Sequence, residues 1–185
     1  MTKTVLIPVA DGTEELEAVA IIDVLRRAGA DVTVASVSGN RQITASRGVV
    51  LVADTVIEKC MHREYDLIVL PGGIPGAENL RDSDHLTNLL RKQYEKGWLY
   101  AAICASPAVI LNHHGLLKDR NATCHPAFVD QLGSRDQAVP VVVDGNCVTS
   151  QGAGTAVEFS LALVERLFGK DQRDEVALGM ALSKA

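Results

Sequence analysis

Cys104 is the residue whose type and position most directly suggest chemistry. It follows the apolar run Trp98–Ile103, which predicts a buried strand, and Pro107 suits the first turn of a helix. A helix start offers unpaired N–H groups and a partial positive charge, which favour a thiolate and can stabilise an oxyanion. The pattern therefore predicts a nucleophilic cysteine at a strand-to-helix turn. The alternative is a small hydrophobic residue packed in a core.

Three glutamates near the start of the first predicted helix are candidates for proton transfer. On a helical wheel Glu14 and Glu17 fall on or beside the apolar face and Glu15 lies nearer its edge, so periodicity alone does not choose between them. We interpret Glu14 and Glu15 as partners of the helix dipole. Glu17 lies further along the predicted helix. Apolar surroundings there would raise the pKa of its carboxyl and let it donate a hydrogen bond while protonated.

His125 is the histidine best placed for catalysis, because it lies in a loop after a short predicted strand and next to a helix that Pro126 begins. A structural role is the alternative. His113 and His114 end a predicted helix, where a histidine complements the helix dipole, and the sequence shows no set of metal ligands around them. We therefore predict no metal site.

The elements that must position these residues form an α/β pattern. The segment Thr4–Val9 reads as a strand, a helix is expected from an N-cap at Thr13 to Gly29, and Val32–Val37 reads as a second strand. This βαβ unit predicts a parallel sheet. Residues 42–52, where Arg47 is interpreted as a surface charge, are expected to form a small hairpin or an excursion on the main sheet. A second hairpin is expected around the turn at 144–146, and a last amphipathic helix should cover 171–182.

Glycine-rich loops follow two of the predicted strands. The strand Asp66–Leu70 runs into residues 71–76, and residues 150–155 open a long predicted helix. Glycines at the carboxyl end of a parallel strand let backbone N–H groups approach a ligand closely, although a tight connecting turn is the simpler alternative. The glycine spacing matches neither a dinucleotide fingerprint nor a phosphate-binding P-loop.

Length and charge restrict the class of protein. The chain has 185 residues, 47% of them hydrophobic and 22% charged, which suits one globular domain over residues 1–185. With 18 basic and 23 acidic residues, a net charge of -5 and no basic run, it offers no patch for nucleic acid or an anionic membrane. The apolar run near the N-terminus is too short for a signal peptide or a membrane span. Four scattered cysteines without a CxxC pair favour a reducing cytoplasm over a disulfide framework.

Taken together, six segments of the chain resemble the ThiJ/PfpI superfamily, in the branch of the Parkinson-disease-associated protein deglycase and its bacterial homologues. They occur in order, at matching separations, over nearly the whole chain: Asp11–Glu17, Ser46–Val49, Val69–Gly73, Ala101–Ala105, His125–Pro126 and Thr149–Thr155. The resemblance implies a flavodoxin-like three-layer sandwich with a mostly parallel sheet, helices on both faces and a nucleophile elbow. It also implies a homodimer that needs no metal or organic cofactor.

The same resemblance assigns roles to individual residues. It implies that Cys104 is the reactive cysteine, that Glu17 is a protonated acid hydrogen-bonded to it, and that His125 is the family's nearby histidine. It therefore settles the choice that periodicity left open among the glutamates. It further implies the surroundings of the sulfur: backbone N–H groups of Gly72, Gly73 and Ala105, with Arg47 close by in the same or the neighbouring subunit.

Three positions depart from the family pattern. Ser106 replaces a smaller residue and is expected to add a hydroxyl to the pocket wall, whereas Ala153 replaces a proline and should loosen its loop. Cys124 precedes His125 where threonine is common, and it could resolve an oxidised Cys104 as a disulfide. The protease-like branch places a histidine directly after the cysteine, and because this chain has alanine there, peptidase activity is not expected.

Two functions are consistent with this site. The first is a glyoxalase or protein deglycase that acts on methylglyoxal, glyoxal or their early adducts with protein and nucleotide groups, with Cys104 as nucleophile. The second is a redox-sensing stress chaperone or regulator, in which Cys104 oxidises without turnover. A flavodoxin-like binding module is a third reading, but it would need a phosphate loop that the sequence lacks.

Overall fold

The computed structural model describes residues 2–182. Within this range the strands are Thr4–Val9 (β1), Asp31–Ser36 (β2), Gln42–Thr44 (β3), Val50–Val52 (β4), Thr55–Val56 (β5), Leu67–Leu70 (β6), Leu99–Ile103 (β7), Val141–Asp144 (β8) and Cys147–Ser150 (β9). The α-helices are Glu15–Arg27 (α1), Gly76–Arg81 (α2), Asp84–Glu95 (α3), Val129–Leu132 (α4), Ala156–Phe168 (α5) and Lys170–Gly179 (α6). A π-helix covers Pro107–Asn112, and short 3₁₀ turns include Pro126–Phe128 and Ala153–Thr155.

The strands form one large sheet and one small hairpin. The large sheet has seven strands in the order β5-β2-β1-β6-β7-β9-β8, and every neighbouring pair is parallel except β8 with β9. In the central pair Val69 of β6 lies opposite Ala101 of β7. Strands β3 and β4 form the separate antiparallel hairpin. The mostly parallel α/β sheet and both hairpins are as predicted.

Helices cover both faces of the large sheet, which gives the three-layer flavodoxin-like sandwich. Helices α1 and α5 pack against each other on one face, and α2, α3 and the π-helix lie on the other. Side chains of a strand alternate between the faces, so Val5 and Ile7 of β1 join the α1/α5 cluster and Leu6 joins the α2/α3 cluster. The central strands β1, β6 and β7 are buried on both sides, which explains their continuous apolar runs.

This topology brings several loops together at one edge of the sheet. The loops after β1, β6, β7 and β9 all lie at the carboxyl ends of parallel strands. Between β1 and β6 the connections change face, because β1 leads into α1 on one side and β6 leads into α2 on the other. Such a switch point opens a crevice in which open α/β sheets commonly bind ligands.

Local details differ from the prediction at three places. Helix α1 begins at Glu15, and the Thr13 hydroxyl accepts a hydrogen bond from the Ala10 N–H at 2.9 Å, so Thr13 closes the preceding turn and does not cap the helix. Helix α2 was not predicted, since its six residues are too few to show a helical period. The predicted helix after Cys104 is a π-helix. Within residues 2–182 no helix has the length and apolar character to cross a lipid bilayer.

Candidate active site

Cys104 lies on a strained turn between β7 and the π-helix. Its φ is 65°, in the left-handed region that non-glycine residues rarely adopt and that costs about 1–2 kcal/mol. Backbone hydrogen bonds hold it there: its N–H donates to Ser150 O at 3.0 Å and its carbonyl accepts from the His125 N–H at 2.8 Å. These two bonds fasten the turn to β9 and to the His125 loop, so the cysteine is positioned by three separate chain segments.

Glu17 lies in the first turn of α1 with its side chain fully buried. One carboxyl oxygen, Oε2, accepts a hydrogen bond from the Gly72 N–H at 2.8 Å, whereas Oε1 has no hydrogen-bond partner among the described residues. Burial raises the pKa of Glu17 to about 7, and the Gly72 N–H and the adjacent Cys104 thiol only partly oppose this effect. Glu17 therefore exchanges a proton near neutral pH.

Gly72 is a glycine because no side chain fits between these two groups. An added Cβ would lie 2.5 Å from Cys104 Cβ and 2.9 Å from Glu17 Oε2. On the other side of the loop the Ser106 hydroxyl donates to Pro71 O at 2.6 Å and ties the start of the π-helix to the glycine loop. Ser106 is fully buried, so its hydroxyl is not at the pocket wall as predicted; it holds the loop in place instead.

The sulfur of Cys104 is subject to opposing electrostatic effects. Burial and the negative charge of Glu17 raise the pKa of the thiol to about 12, while the N–H groups of Gly73 and Ala105 favour the thiolate. The sequence suggested that a helix start would favour the thiolate, but burial and the neighbouring carboxylate outweigh it here. Since two buried negative charges repel each other, the Cys104 thiolate is favoured when the shared proton resides on Glu17.

His125 lies at the exposed side of the site. Its Nδ1 accepts a hydrogen bond from the Ala127 N–H at 3.2 Å and caps the 3₁₀ turn that follows. This bond places the ring proton on Nε2, the nitrogen next to Cδ2. The Cδ2 edge faces Gly152, a residue of the predicted glycine-rich loop that the sequence alone did not single out.

Arg47 and Cys124 are held by other contacts. The Arg47 side chain is exposed, and its backbone N–H donates to Glu15 Oε1 at 2.8 Å. Cys124 is fully buried and packs in the α2/α3 cluster, whereas Cys104 packs against the α1/α5 cluster. Burial raises the pKa of Cys124 to about 12, with a smaller effect of Asp136, which disfavours the thiolate that a resolving thiol needs.

A metal ion has no evident place in this arrangement. Within residues 2–182, no group of three or more histidine, cysteine or acidic side chains could hold one. The residues brought together are a nucleophile, a buried carboxyl and backbone N–H donors. Such a set can attack a carbonyl carbon, stabilise the resulting oxyanion and move a proton.

Comparison with known proteins identifies the family of this chain. The model of the DJ-1/PfpI family matches residues 3–166. The chain belongs to this family. The assignment confirms the resemblance to the ThiJ/PfpI superfamily. The solved structure of oxidized DJ-1 from Toxoplasma gondii superposes with a TM-score of 0.97 at 46% identity, and the match covers 99% of this chain and 100% of that chain.

Curated relatives place the chain in the DJ-1 branch. It is 49% identical over 185 residues to DJ-1 homolog B of Arabidopsis thaliana, covering all of this chain. It spans less than half of the two Arabidopsis relatives, 41% of homolog B and 46% of homolog A. The glutathione-independent glyoxalase DJR-1.2 of Caenorhabditis elegans is 34% identical, with 97% of this chain and 96% of that protein covered.

Proposed function

We propose that this protein is a cysteine-dependent glyoxalase or deglycase that needs no cofactor and acts on methylglyoxal, glyoxal or their early adducts with protein and nucleotide groups. The observation that supports it is the meeting of Cys104, on a strained turn, with the buried Glu17 carboxyl and the N–H groups of Gly73 and Ala105. The name of the Caenorhabditis elegans relative, a glutathione-independent glyoxalase, supports the same reaction.

The first step is attack by sulfur on the aldehyde carbon. The Cys104 proton passes to Glu17, and the thiolate forms a C–S bond while the carbonyl π-electrons move to oxygen. The N–H donors at Gly73 and Ala105, which face the sulfur, stabilise the developing oxyanion. Protonation of that oxygen gives a hemithioacetal on Cys104.

The second step moves a proton between neighbouring carbons. Removal of the proton from the former aldehyde carbon gives an enediol, and protonation of the adjacent carbon gives a thioester, so one carbon is oxidised as the other is reduced. Glu17, whose pKa of about 7 suits proton exchange, or His125 carries this proton. Water then cleaves the thioester, releasing lactate from methylglyoxal or glycolate from glyoxal and restoring the thiol.

The test is turnover of methylglyoxal to lactate without glutathione, on wild type, C104A and C124A. We expect many turnovers for wild type and C124A and none for C104A, because only Cys104 lies beside the carboxyl and the N–H donors. Intact mass on the same samples reports covalent changes. Absence of lactate from wild type, or equal rates for C104A, would contradict the proposal.

A redox sensor is the second candidate, because Cys104 is partly exposed and two N–H groups could bind oxygens added to its sulfur. The related Toxoplasma gondii structure is of an oxidized form. Under mild peroxide a sensor would gain oxygen masses at Cys104 without producing lactate. A loss of two hydrogens would instead indicate a disulfide, and its absence from C124A would identify Cys124 as the resolving thiol.

We also propose that the protein forms a homodimer in a reducing cytoplasm. The exposed face of α1 and the β3–β4 hairpin carry a set of apolar side chains, with Leu16 and Val19 on the helix and Val49, Val50 and Val52 on the hairpin. The two elements are neighbours, because Glu15 accepts hydrogen bonds from the loop of the hairpin. A second copy of this apolar surface is its proposed partner.

The four cysteines are all free, which supports the proposed location in a reducing cytoplasm.

A further inference from the structure

The loop after β9 carries two hydroxyl side chains that the proposed reaction does not use. Ser150 Oγ lies 2.7 Å from Pro140 O, and because a carbonyl only accepts, the Ser150 hydroxyl donates there. At its 2.6 Å contact with Thr155 Oγ1, threonine is then the donor, since the serine has one hydrogen. Thr155 Oγ1 in turn accepts from the Gly152 N–H at 3.2 Å. These bonds form a chain that runs in one direction from Gly152 to Pro140.

This chain of hydrogen bonds meets the candidate site at two points. The Ser150 carbonyl accepts the Cys104 N–H at 3.0 Å. Gly152 is buried beside the site, because a Cβ added to it would lie 3.5 Å from His125 Cδ2 and 4.0 Å from Cys104 Sγ. The Thr155 hydroxyl also contacts the Gly152 carbonyl, at 2.9 Å, so it touches both polar groups of that residue. The backbone of Gly152 therefore forms a wall beside the sulfur, and the Thr155 hydroxyl fastens that wall.

We propose that Thr155 is a positioning residue, whose hydroxyl holds Gly152 as a wall over the Cys104 sulfur and the edge of the His125 ring. The effect on turnover rests on the proposed function, whereas the covering of the sulfur does not. Without the hydroxyl, the Gly152 N–H and Ser150 Oγ lose a partner inside the protein, and the loop moves outward to reach water. Thr155 acts through Gly152 and is not itself a catalytic residue.

The test is T155V, which keeps the branched shape of the side chain and removes its hydroxyl. T155S restores the hydroxyl, and S160A is the matched control, because the Ser160 hydroxyl donates to Ala156 O at 2.6 Å within α5. We expect iodoacetamide to alkylate Cys104 roughly fivefold faster in T155V, the effect of one lost hydrogen bond on a local opening. T155S and S160A should stay within about twofold of wild type.

Peptide mass mapping separates a local effect from a loss of stability. The other three cysteines are buried, so their alkylation should keep its wild-type rate in every variant: Cys60, Cys124 and Cys147. Partial unfolding would instead speed the labelling of all four. Turnover should change in the opposite direction to the labelling of Cys104. We expect T155V to lower kcat for methylglyoxal about tenfold and T155S to stay within about threefold, because a displaced wall misplaces the reacting groups.

The outcomes distinguish this inference from the proposed function. If wild type makes no lactate but T155V speeds the alkylation of Cys104 alone, the proposed function fails and the role of Thr155 in covering the sulfur stands. Unchanged alkylation in T155V, equal acceleration at the buried cysteines, an unchanged kcat in an active enzyme, or T155S behaving like T155V would overturn the inference. Should T155V not fold, S150A removes the next hydroxyl of the chain, and unchanged alkylation of Cys104 in that variant would overturn it.

Discussion

Glu17 shows how one buried side chain links stability to chemistry. Its carboxyl is fully buried, one oxygen receives the Gly72 N–H and the other has no hydrogen-bond partner among the described residues. Burial raises its pKa from 4.5 to about 7, so the native state binds this proton more tightly than the unfolded chain does. The same property that lets Glu17 carry a proton in the proposed reaction therefore makes the fold sensitive to pH.

We expect the contribution of Glu17 to stability to be fully present below about pH 4.5 and to be lost as the pH rises through about 7. The difference in pKa corresponds to about 3 kcal/mol. E17Q keeps an acceptor for the Gly72 N–H but cannot ionise. Urea unfolding of both proteins should show E17Q gaining on wild type by a few kcal/mol between about pH 5 and about pH 8. A difference that does not change with pH would contradict this account.

At the scale of elements, the site depends on two loops that interlock at the carboxyl ends of β1 and β6. The Glu14 N–H donates to Gly72 O at 2.9 Å, and an added Cβ on Gly73 would collide with Gly12 O and Glu14 N. Gly73 also has a φ of 90°, in the region that favours glycine. The close approach of these loops holds the start of α1, and with it Glu17, against the glycine loop.

G73A should therefore be more destabilising than G29A. Both glycines have positive φ, but an added Cβ on Gly29 meets nothing within 4 Å, so G29A measures backbone strain alone, about 1–2 kcal/mol. G73A adds the collision with the β1 loop, and we expect it to lower the free energy of unfolding by a further ~2 kcal/mol or more. Urea unfolding of both variants gives the comparison. Equal losses would show that the loops can move apart at no cost.

At the scale of the whole molecule, the exposed apolar side chains of α1 and the β3–β4 hairpin are the basis for the proposed homodimer. Val50 is 53% exposed on the hairpin, and Val143 is 48% exposed on β8, at the edge of the large sheet. Because neither is buried within the chain, a charge at either position should leave the fold intact. The effect of that charge on association then depends on which surface meets a partner.

V50E should convert a dimer to a monomer, because it places a carboxylate in the apolar contact, whereas V143E should stay dimeric. Light scattering after size-exclusion chromatography measures the mass of each. We expect twice the chain mass for wild type and V143E and a single chain mass for V50E. A monomeric wild type, or a dimeric V50E, would rule out this interface.

Much of the fold was predictable, because the relevant signals are local. The apolar runs of β1, β6 and β7, the two hairpins and the amphipathic pattern of α1 follow from side-chain periodicity and turn residues. The site was harder to predict from the sequence, because it depends on the directions of side chains after the chain has folded. The Ser106 hydroxyl turns inward to Pro71 O, and Gly152 approaches Cys104 and Glu17 only where three distant segments meet. Neither leaves a pattern in the sequence.

The left-handed backbone of Cys104 has a consequence for the history of the chain. At this φ glycine is the residue that folding alone would favour, since it adopts the conformation without the cost that a side chain brings. In a lineage released from any need for the thiol, drift toward glycine at this position would meet no opposition from stability. Stability alone therefore does not account for a cysteine on such a turn, which supports a use of its thiol.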